Sequence, residues 1–292
     1  MIQRDYTTEV FSLSYILQTL REKGLSLKKS LGQNLLINRD VAGHVLRYAD
    51  LQPEDRVLEI GPGLGALTFF IAETVQEVVA VEIDRGFANY LSDKVDELAF
   101  GTAHIINGDF LSLVSADLPF KQQPNRVVSN FPYSIAIKAL IRIVDEYRSV
   151  ETITGMVQRE LAERISAVPG TKNYSFVSVY LQYHMVVRVV EKRVSPQNFF
   201  PKPDIESSIV TLTRKTREES SDVLLFKEIG KKAFSNRRKR LAKNLKSLPL
   251  TVPGSHVDHI VEDLFGNPGV RAEELSVADF TALLAALKPY VR

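Results

Sequence analysis

Glu59-Ile60-Gly61-Pro62-Gly63-Leu64-Gly65-Ala66 is the stretch that decides how this chain of 292 residues folds. It follows a short apolar run at residues 56–60 and opens a helical pattern over residues 66–74. Glycines let backbone approach a ligand closely, and a helix start supplies free N–H groups. A second apolar run, residues 77–83, carries an acid near its end. That acid is Glu82, 21 residues after Gly61. A carboxylate at the end of the second strand can accept both hydroxyls of a ribose. Strand, glycine turn, helix and acid in this order read as a site for an adenosine-containing ligand.

The same rhythm continues downstream. Residues 104–107, 126–129 and 152–157 read as further strands, and residues 86–98, 135–147 and 159–167 as helices. Apolar strands with helices between them predict a mostly parallel sheet covered on both faces. Residues 177–182, 185–190 and 208–213 read as later strands that close the sheet with an antiparallel edge. Three prolines, Pro196, Pro201 and Pro203, fix a loop over residues 195–204. Residues 215–222 are polar and read as a linker, and residues 223–292 are helical in pattern. At the other end, Val10, Leu13, Ile16, Leu17 and Leu20 form one apolar face of a helical extension laid on the main domain. The expected domains are therefore an extension over 1–27, an α/β domain over 28–215 and a smaller all-helical domain over 216–292.

Asn130-Phe131-Pro132-Tyr133 stands at the end of the fourth strand. The Asn130 side-chain carbonyl can accept a hydrogen bond from an exocyclic amine on a planar base. The next acceptor is read as the backbone carbonyl of Pro132, which has no N–H of its own. Tyr133 offers a flat face for stacking. The plainer reading is a strand-to-helix turn, with Ser134 capping a helix from Ile135. The glycine motif also satisfies the dinucleotide fingerprint as Gly61-x-Gly63-x-x-Ala66, so a nicotinamide-dependent oxidoreductase is a rival. Against it stand Glu59 inside the strand, Pro62 in the turn, and Gly108-Asp109-Phe110 after the third strand. Asp109 can accept from an adenine amine while Phe110 packs nearby. The glycine loop, Glu82, Asp109 and Asn130 thus mark the ends of four consecutive strands, the edge where open α/β sheets bind ligands.

Composition narrows the function further. No stretch approaches the roughly 18 apolar residues of a membrane span, and no secretory signal is readable at the N-terminus. There are no cysteines, which removes disulfides, zinc–thiolate sites and a thiol nucleophile together. The five histidines show no ligand spacing, so no metal is expected. Between Lys227 and Lys246 stand nine basic residues against one acid, Glu228, a net +8 in a chain of net +2 overall. Such a local excess points to phosphate contact, with a solvated helix face as the plainer alternative.

Several of these motifs occur in one order: Leu31-Gly32-Gln33-Asn34-Leu35-Leu36, the glycine loop, Asn130–Tyr133, Gln158–Arg164, Pro196–Pro203 and Phe234–Lys239. The series resembles the ribosomal RNA adenine N6-dimethyltransferases, above all the bacterial small-subunit members, from about residue 28 to about residue 283. The resemblance implies a Rossmann-like class I methyltransferase that uses S-adenosylmethionine. It implies dimethylation of two adjacent adenosines in the 3′-terminal hairpin of 16S rRNA. Asn34, Leu36, Gly61, Gly63, Glu82, Ile83, Asp109, Phe110 and Asn130 would surround the cofactor. Asn130 and Pro132 would hold the amine, and Tyr133 and Phe199 would sandwich the base. Lys231, Lys232, Arg237, Arg238, Lys239, Arg240 and Lys243, on a helix through residues 234–240, would meet RNA. The small ribosomal subunit is the expected partner, and a cytoplasmic monomer free of membrane is expected. Two alternatives stand beside this reading: a relative that dimethylates one adenine of large-subunit rRNA, and an assembly factor whose binding outweighs its methylation. The chain departs from the family pattern at Phe131, where leucine is usual, at Ser175, where glycine is common, and at Leu35, where phenylalanine is usual.

Overall fold

The computed structural model describes residue 6, residues 8–216 and residues 222–291. Residues 1–5 and 7 of the expected extension, and 217–221 of the expected linker, lie outside the described residues. Among the described residues nine strands run in chain order: β1 Leu35–Leu36, β2 Arg56–Ile60, β3 Glu77–Glu82, β4 Ala103–Asn107, β5 Arg126–Asn130, β6 Thr152–Gln158, β7 Met185–Val194, β8 Phe199–Phe200 and β9 Ser207–Arg214. Seven of them form one sheet in the order β4-β3-β2-β5-β6-β9-β7, and β1 pairs with β8 in a separate two-stranded sheet.

The core of the large sheet is parallel, as its apolar strands require. All six residues of β3 are buried. A strand covered on both faces cannot alternate apolar with polar. β2 lies between β3 and β5, in register Val57↔Val78 and Leu58↔Val127. From β2 the chain adds β3 and β4 on one side, then crosses back to add β5 and β6 on the other. This reversal is the switch point where such sheets open a crevice at their carboxyl ends. β9 joins β6 antiparallel, from Thr152↔Thr213 to Gln158↔Ser207.

The chain forms two compact units, residues 1–162 with 187–214 and residues 163–186 with 215–292. This differs from the expected boundaries, because residues 163–186 belong with the C-terminal helices. Residues 177–182, read as a strand, lie in the helix Phe176–His184. Valines and aromatics there suggest a strand, but six of its nine residues are buried, so helical periodicity is invisible in the sequence. Ser178 supports the helix start, accepting from the Ser175 N–H at 3.0 Å and donating to the Arg164 carbonyl at 2.6 Å. Tyr183 of the same helix stacks on Phe226, with ring centroids 3.8 Å apart.

The N-terminal helix Leu13–Glu22 buries Ile16 and Thr19. The buried face is narrower than expected, since Leu13 and Leu17 remain 42% and 43% exposed. Among the described residues no helix is long and apolar enough to cross a membrane.

Candidate active site

A pocket at the carboxyl edge of the sheet is lined by residues 31–35, Gly61, Gly63, Glu82, Ile83, Asp109, Phe110 and residues 130–135. The glycine loop leaves β2 with Gly61 at φ +71° and Gly63 at φ +60°, a region that side-chain-bearing residues rarely adopt. A Cβ at Gly61 would stand 2.6 Å from Cγ of Pro132, so the loop and the Asn130 motif touch. Glu82, 3% exposed, accepts from the Gly63 N–H at 3.2 Å and from the Asp84 N–H at 2.9 Å. Burial pushes its pKa up, against the pull of those two N–H bonds. Ile83 lines the pocket while 45% exposed, an apolar surface open to a flat ring. Behind the loop, buried Glu59 accepts from the Thr68 hydroxyl at 2.7 Å, and burial raises its carboxyl to about 8.

After β4, Asp109 organises a tight turn by accepting from the Leu111 N–H at 2.9 Å and the Ser112 hydroxyl at 3.3 Å. Phe110 is 2% exposed and stacks on Tyr147 at 5.8 Å. Arg142 donates to the carbonyls of Phe110 and Leu113, and its guanidinium lies 5.3 Å from the Phe110 ring centroid. One planar fork thereby fixes both ends of the turn. Sequence reasoning missed Arg142. The available signal was a lone arginine within the strongly apolar helix Ala136–Glu146.

Asn130 ends β5. Its Nδ2 donates to the Asn34 carbonyl at 3.2 Å, which fixes which end of the amide is nitrogen. Its Oδ1 is buried and has no partner among the described residues. A buried amide oxygen without a donor costs free energy, so this atom is poised for one supplied from outside. The expected second acceptor needs correction. The Pro132 carbonyl already accepts from the N–H groups of Ile135 and Ala136, each at 3.1 Å. Among the described residues no hydrogen bond ends on the Phe131 carbonyl, one residue earlier. Ser134 does not cap the following helix, which starts at Ala136; its hydroxyl donates to the Leu31 carbonyl at 3.0 Å. Tyr133 lines the pocket and its hydroxyl pairs with Ser207 at 2.6 Å. Phe131, the second residue of the motif, is 1% exposed. Its ring occupies the space beside Gly155 of β6, where a Cβ would fall 2.8 Å from it.

Two expected site residues lie away from the pocket lining. Phe199 sits in β8 opposite Leu36 of β1 and is 2% exposed within the apolar core. Pairing with β1 turns its ring inward, so in this conformation it is a packing residue and offers no free face. Leu36, 3% exposed, lines a smaller cavity behind the glycine loop instead. Asn34 lines both cavities.

The basic segment lies in the second compact unit. Residues 234–240 form a turn between the helices Val223–Ala233 and Leu241–Leu245, not the expected helix. The buried Asn244 amide holds this turn by donating to the carbonyls of Ala233 at 2.7 Å and Asn236 at 3.0 Å. Arg237 is tied down, pairing with Glu273 at 2.6 Å and donating to the Lys172 carbonyl at 2.6 Å. That separates it from its neighbours. Arg238, Lys239, Arg240 and Lys243 are exposed, and no ion pair ends on their side chains among the described residues. Among the described residues, no group of three or more acids and histidines is placed to hold a metal ion.

Comparison with known proteins identifies the family. The family described as "Ribosomal RNA adenine dimethylase" matches residues 24–287. A protein of Geobacter metallireducens named "Ribosomal RNA small subunit methyltransferase A" is 34% identical over 272 residues, 92% of this chain and 98% of that one. A protein of the same name from Listeria monocytogenes is 32% identical over 290 residues, 94% and 95% of the two chains. The fold matches a dimethyladenosine transferase from Plasmodium falciparum with TM-score 0.74 at 22% identity, over 88% of this chain and 99% of that one. It also matches the 23S rRNA methyltransferase ErmE with TM-score 0.64 at 24% identity, over 87% and 99%. Matched by this family over most of its length and by relatives at 32–34% identity, the chain belongs to the ribosomal RNA adenine dimethylase family.

Proposed function

We propose that this protein transfers methyl groups from S-adenosylmethionine to the N6 amines of two adjacent adenosines in the 3′-terminal hairpin of small-subunit rRNA. The observation that carries this reading is the buried, unpartnered Oδ1 of Asn130 at the pocket wall. An adenine amine is the donor it lacks. The small-subunit substrate is supported by the names of relatives that align over nearly the whole chain.

The pocket residues fit the cofactor. The glycine loop presents backbone without side chains, Glu82 offers carboxylate lone pairs for a ribose, and Asp109 with Ile83 and Phe110 suits an adenine. When bound, S-adenosylmethionine supplies an activated methyl on a sulfonium. The protein's task is to aim the amine at it. The amine's lone pair is delocalised into the ring, and acceptors at Asn130 Oδ1 and the Phe131 carbonyl favour a pyramidal nitrogen. Tyr133 gives the base a flat surface, and its hydroxyl bond to Ser207 holds that ring in place. Positioning of this kind supplies up to roughly 7–11 kcal/mol of barrier reduction in well-aligned systems. No strong base is required, because the nitrogen proton becomes acidic once the methyl is in place. The adenosine must leave its helix or loop to reach the pocket. Lys231, Lys232, Arg238, Lys239, Arg240 and Lys243 are assigned to the RNA phosphates, and Arg237 to holding the turn that presents them.

The test is incubation of the protein with unmethylated small subunits, and in parallel with large subunits, using labelled cofactor, followed by mapping of the modified nucleotides. Two adjacent dimethyladenosines near the 3′ end of small-subunit rRNA are expected. Label confined to large-subunit RNA would overturn the assignment. An Asn130→Ala variant that still binds small subunits but transfers no methyl would separate the catalytic role from a role in subunit assembly.

A further inference from the structure

Ahead of the matched family span, which begins at residue 24, Tyr6 reaches the glycine loop. Tyr6 is 4% exposed, and its hydroxyl lies 3.1 Å from the carbonyl oxygen of Leu64, between Gly63 and Gly65. The same hydroxyl lies 3.3 Å from that of Tyr90, which in turn lies 3.0 Å from the hydroxyl of Tyr15. A carbonyl can only accept, and each phenol has one proton to give. The direction is therefore fixed: Tyr15 donates to Tyr90, Tyr90 to Tyr6, and Tyr6 to Leu64. Burial pushes the pKa values of Tyr6 and Tyr90 upward, so both keep their protons. The Tyr6 ring is held in turn by an edge contact with Phe69 at 4.7 Å and by the Lys94 ammonium 5.4 Å from its centroid. Val10 and Ile16 close the small cavity behind the loop.

The loop is consequently gripped from two sides. Glu82 accepts from the Gly63 N–H on the pocket side, and Tyr6 donates to the Leu64 carbonyl on the outer side. Glycines at 61, 63 and 65 leave this segment little intrinsic stiffness, because each adds backbone freedom that an external contact must remove. We propose that Tyr6 is a positioning residue for the cofactor site: its hydroxyl, at the end of the tyrosine series, locks the Gly63-Leu64-Gly65 backbone in the shape that receives the cofactor. This inference rests on the cofactor reading above.

The experiment compares Tyr6→Phe with Tyr15→Phe in the full chain. Each variant keeps its ring and loses one hydroxyl of the series, but only Tyr6 touches the loop. Calorimetric titration with S-adenosylhomocysteine reads cofactor affinity, and amide exchange of the unliganded protein reads the loop directly. Tyr6→Phe is expected to weaken binding about three- to tenfold, the range that loss of one intramolecular hydrogen bond allows. It is also expected to speed exchange across residues 61–66. Tyr15→Phe is expected to leave both within twofold of the parent while lowering the melting temperature comparably. Equal effects of the two variants on affinity, or a Tyr6→Phe protein with parental affinity and loop exchange, would overturn the proposal. Failure of the parent protein to bind S-adenosylhomocysteine would instead refute the cofactor reading, and the exchange result would still decide whether Tyr6 holds the loop.

Discussion

Adding one methyl group at Gly61 tests how closely the cofactor loop and the amine-holding motif depend on each other. Gly61 has φ +71°, where a residue with a Cβ is strained by about 1–2 kcal/mol. The added carbon would lie 2.6 Å from Cγ and 3.2 Å from Cδ of Pro132. Carbon atoms rest at roughly 3.5–4.0 Å, so loop and proline must part by roughly 1 Å. Overpacking of this kind costs about 1–3 kcal/mol more. Neither neighbour can yield independently. Gly61 is held by its N–H bond to the Val81 carbonyl at 2.9 Å, and the Pro132 carbonyl anchors the start of the next helix. A displacement of about 1 Å at a catalytic group can lower rate about a hundredfold. Gly61→Ala is therefore expected to lose about 2–5 kcal/mol of stability, the sum of strain and overpacking. Its single-turnover methyl transfer at saturating cofactor and RNA should fall by about one to two orders of magnitude, with RNA affinity unchanged. Thermal unfolding and rapid-quench transfer measure the two effects. A variant that is clearly destabilised yet transfers methyl within twofold of the parent would refute the idea that the two elements share one wall.

Four further outcomes are expected. Gly43 lies exposed within the helix Arg39–Ala49, and a Cβ added there would meet nothing within 4 Å, so Gly43→Ala should gain about 0.5–1 kcal/mol in denaturant unfolding. Burial raises the Glu59 carboxyl to about 8 from 4.5, so the folded chain keeps a proton there that the unfolded chain releases. Its contribution is complete below about pH 4.5 and is lost as pH rises toward 8, by up to about 1.4 kcal/mol per pH unit. Glu59→Gln, which can still accept from Thr68, should flatten that decline in melting curves taken across this window. Arg238→Ala should reduce the salt dependence of RNA binding by up to about one phosphate contact and leave stability alone. Arg237→Ala should do the reverse, because its guanidinium is spent on Glu273 and the Lys172 carbonyl.

Much of the site was legible because it sits where strand ends and glycine turns leave marks in the sequence. Glu82, Asp109 and Asn130 could be placed on one edge as soon as the strands were counted. What escaped detection depends on long-range packing. The helix Phe176–His184 is buried on most sides, so its sequence carries no amphipathic period. Phe199 reads as a stacking residue beside prolines, but register with Leu36 in β1 turns it into the core. The Pro132 carbonyl was open as an acceptor until the start of the next helix was known to consume it. Arg237 and Arg238 are adjacent and chemically identical, and only the position of Glu273 distinguishes a clamp from a free cation.

The space beside Phe131 has a further consequence. A Cβ on Gly155 would fall 2.2 Å from the Ser129 carbonyl oxygen, so the backbone of β5 alone forbids any larger residue there. The room that the Phe131 ring fills therefore exists whatever side chain stands at position 131. Whatever side chain stands at position 131 therefore faces a β6 surface that cannot grow to meet it.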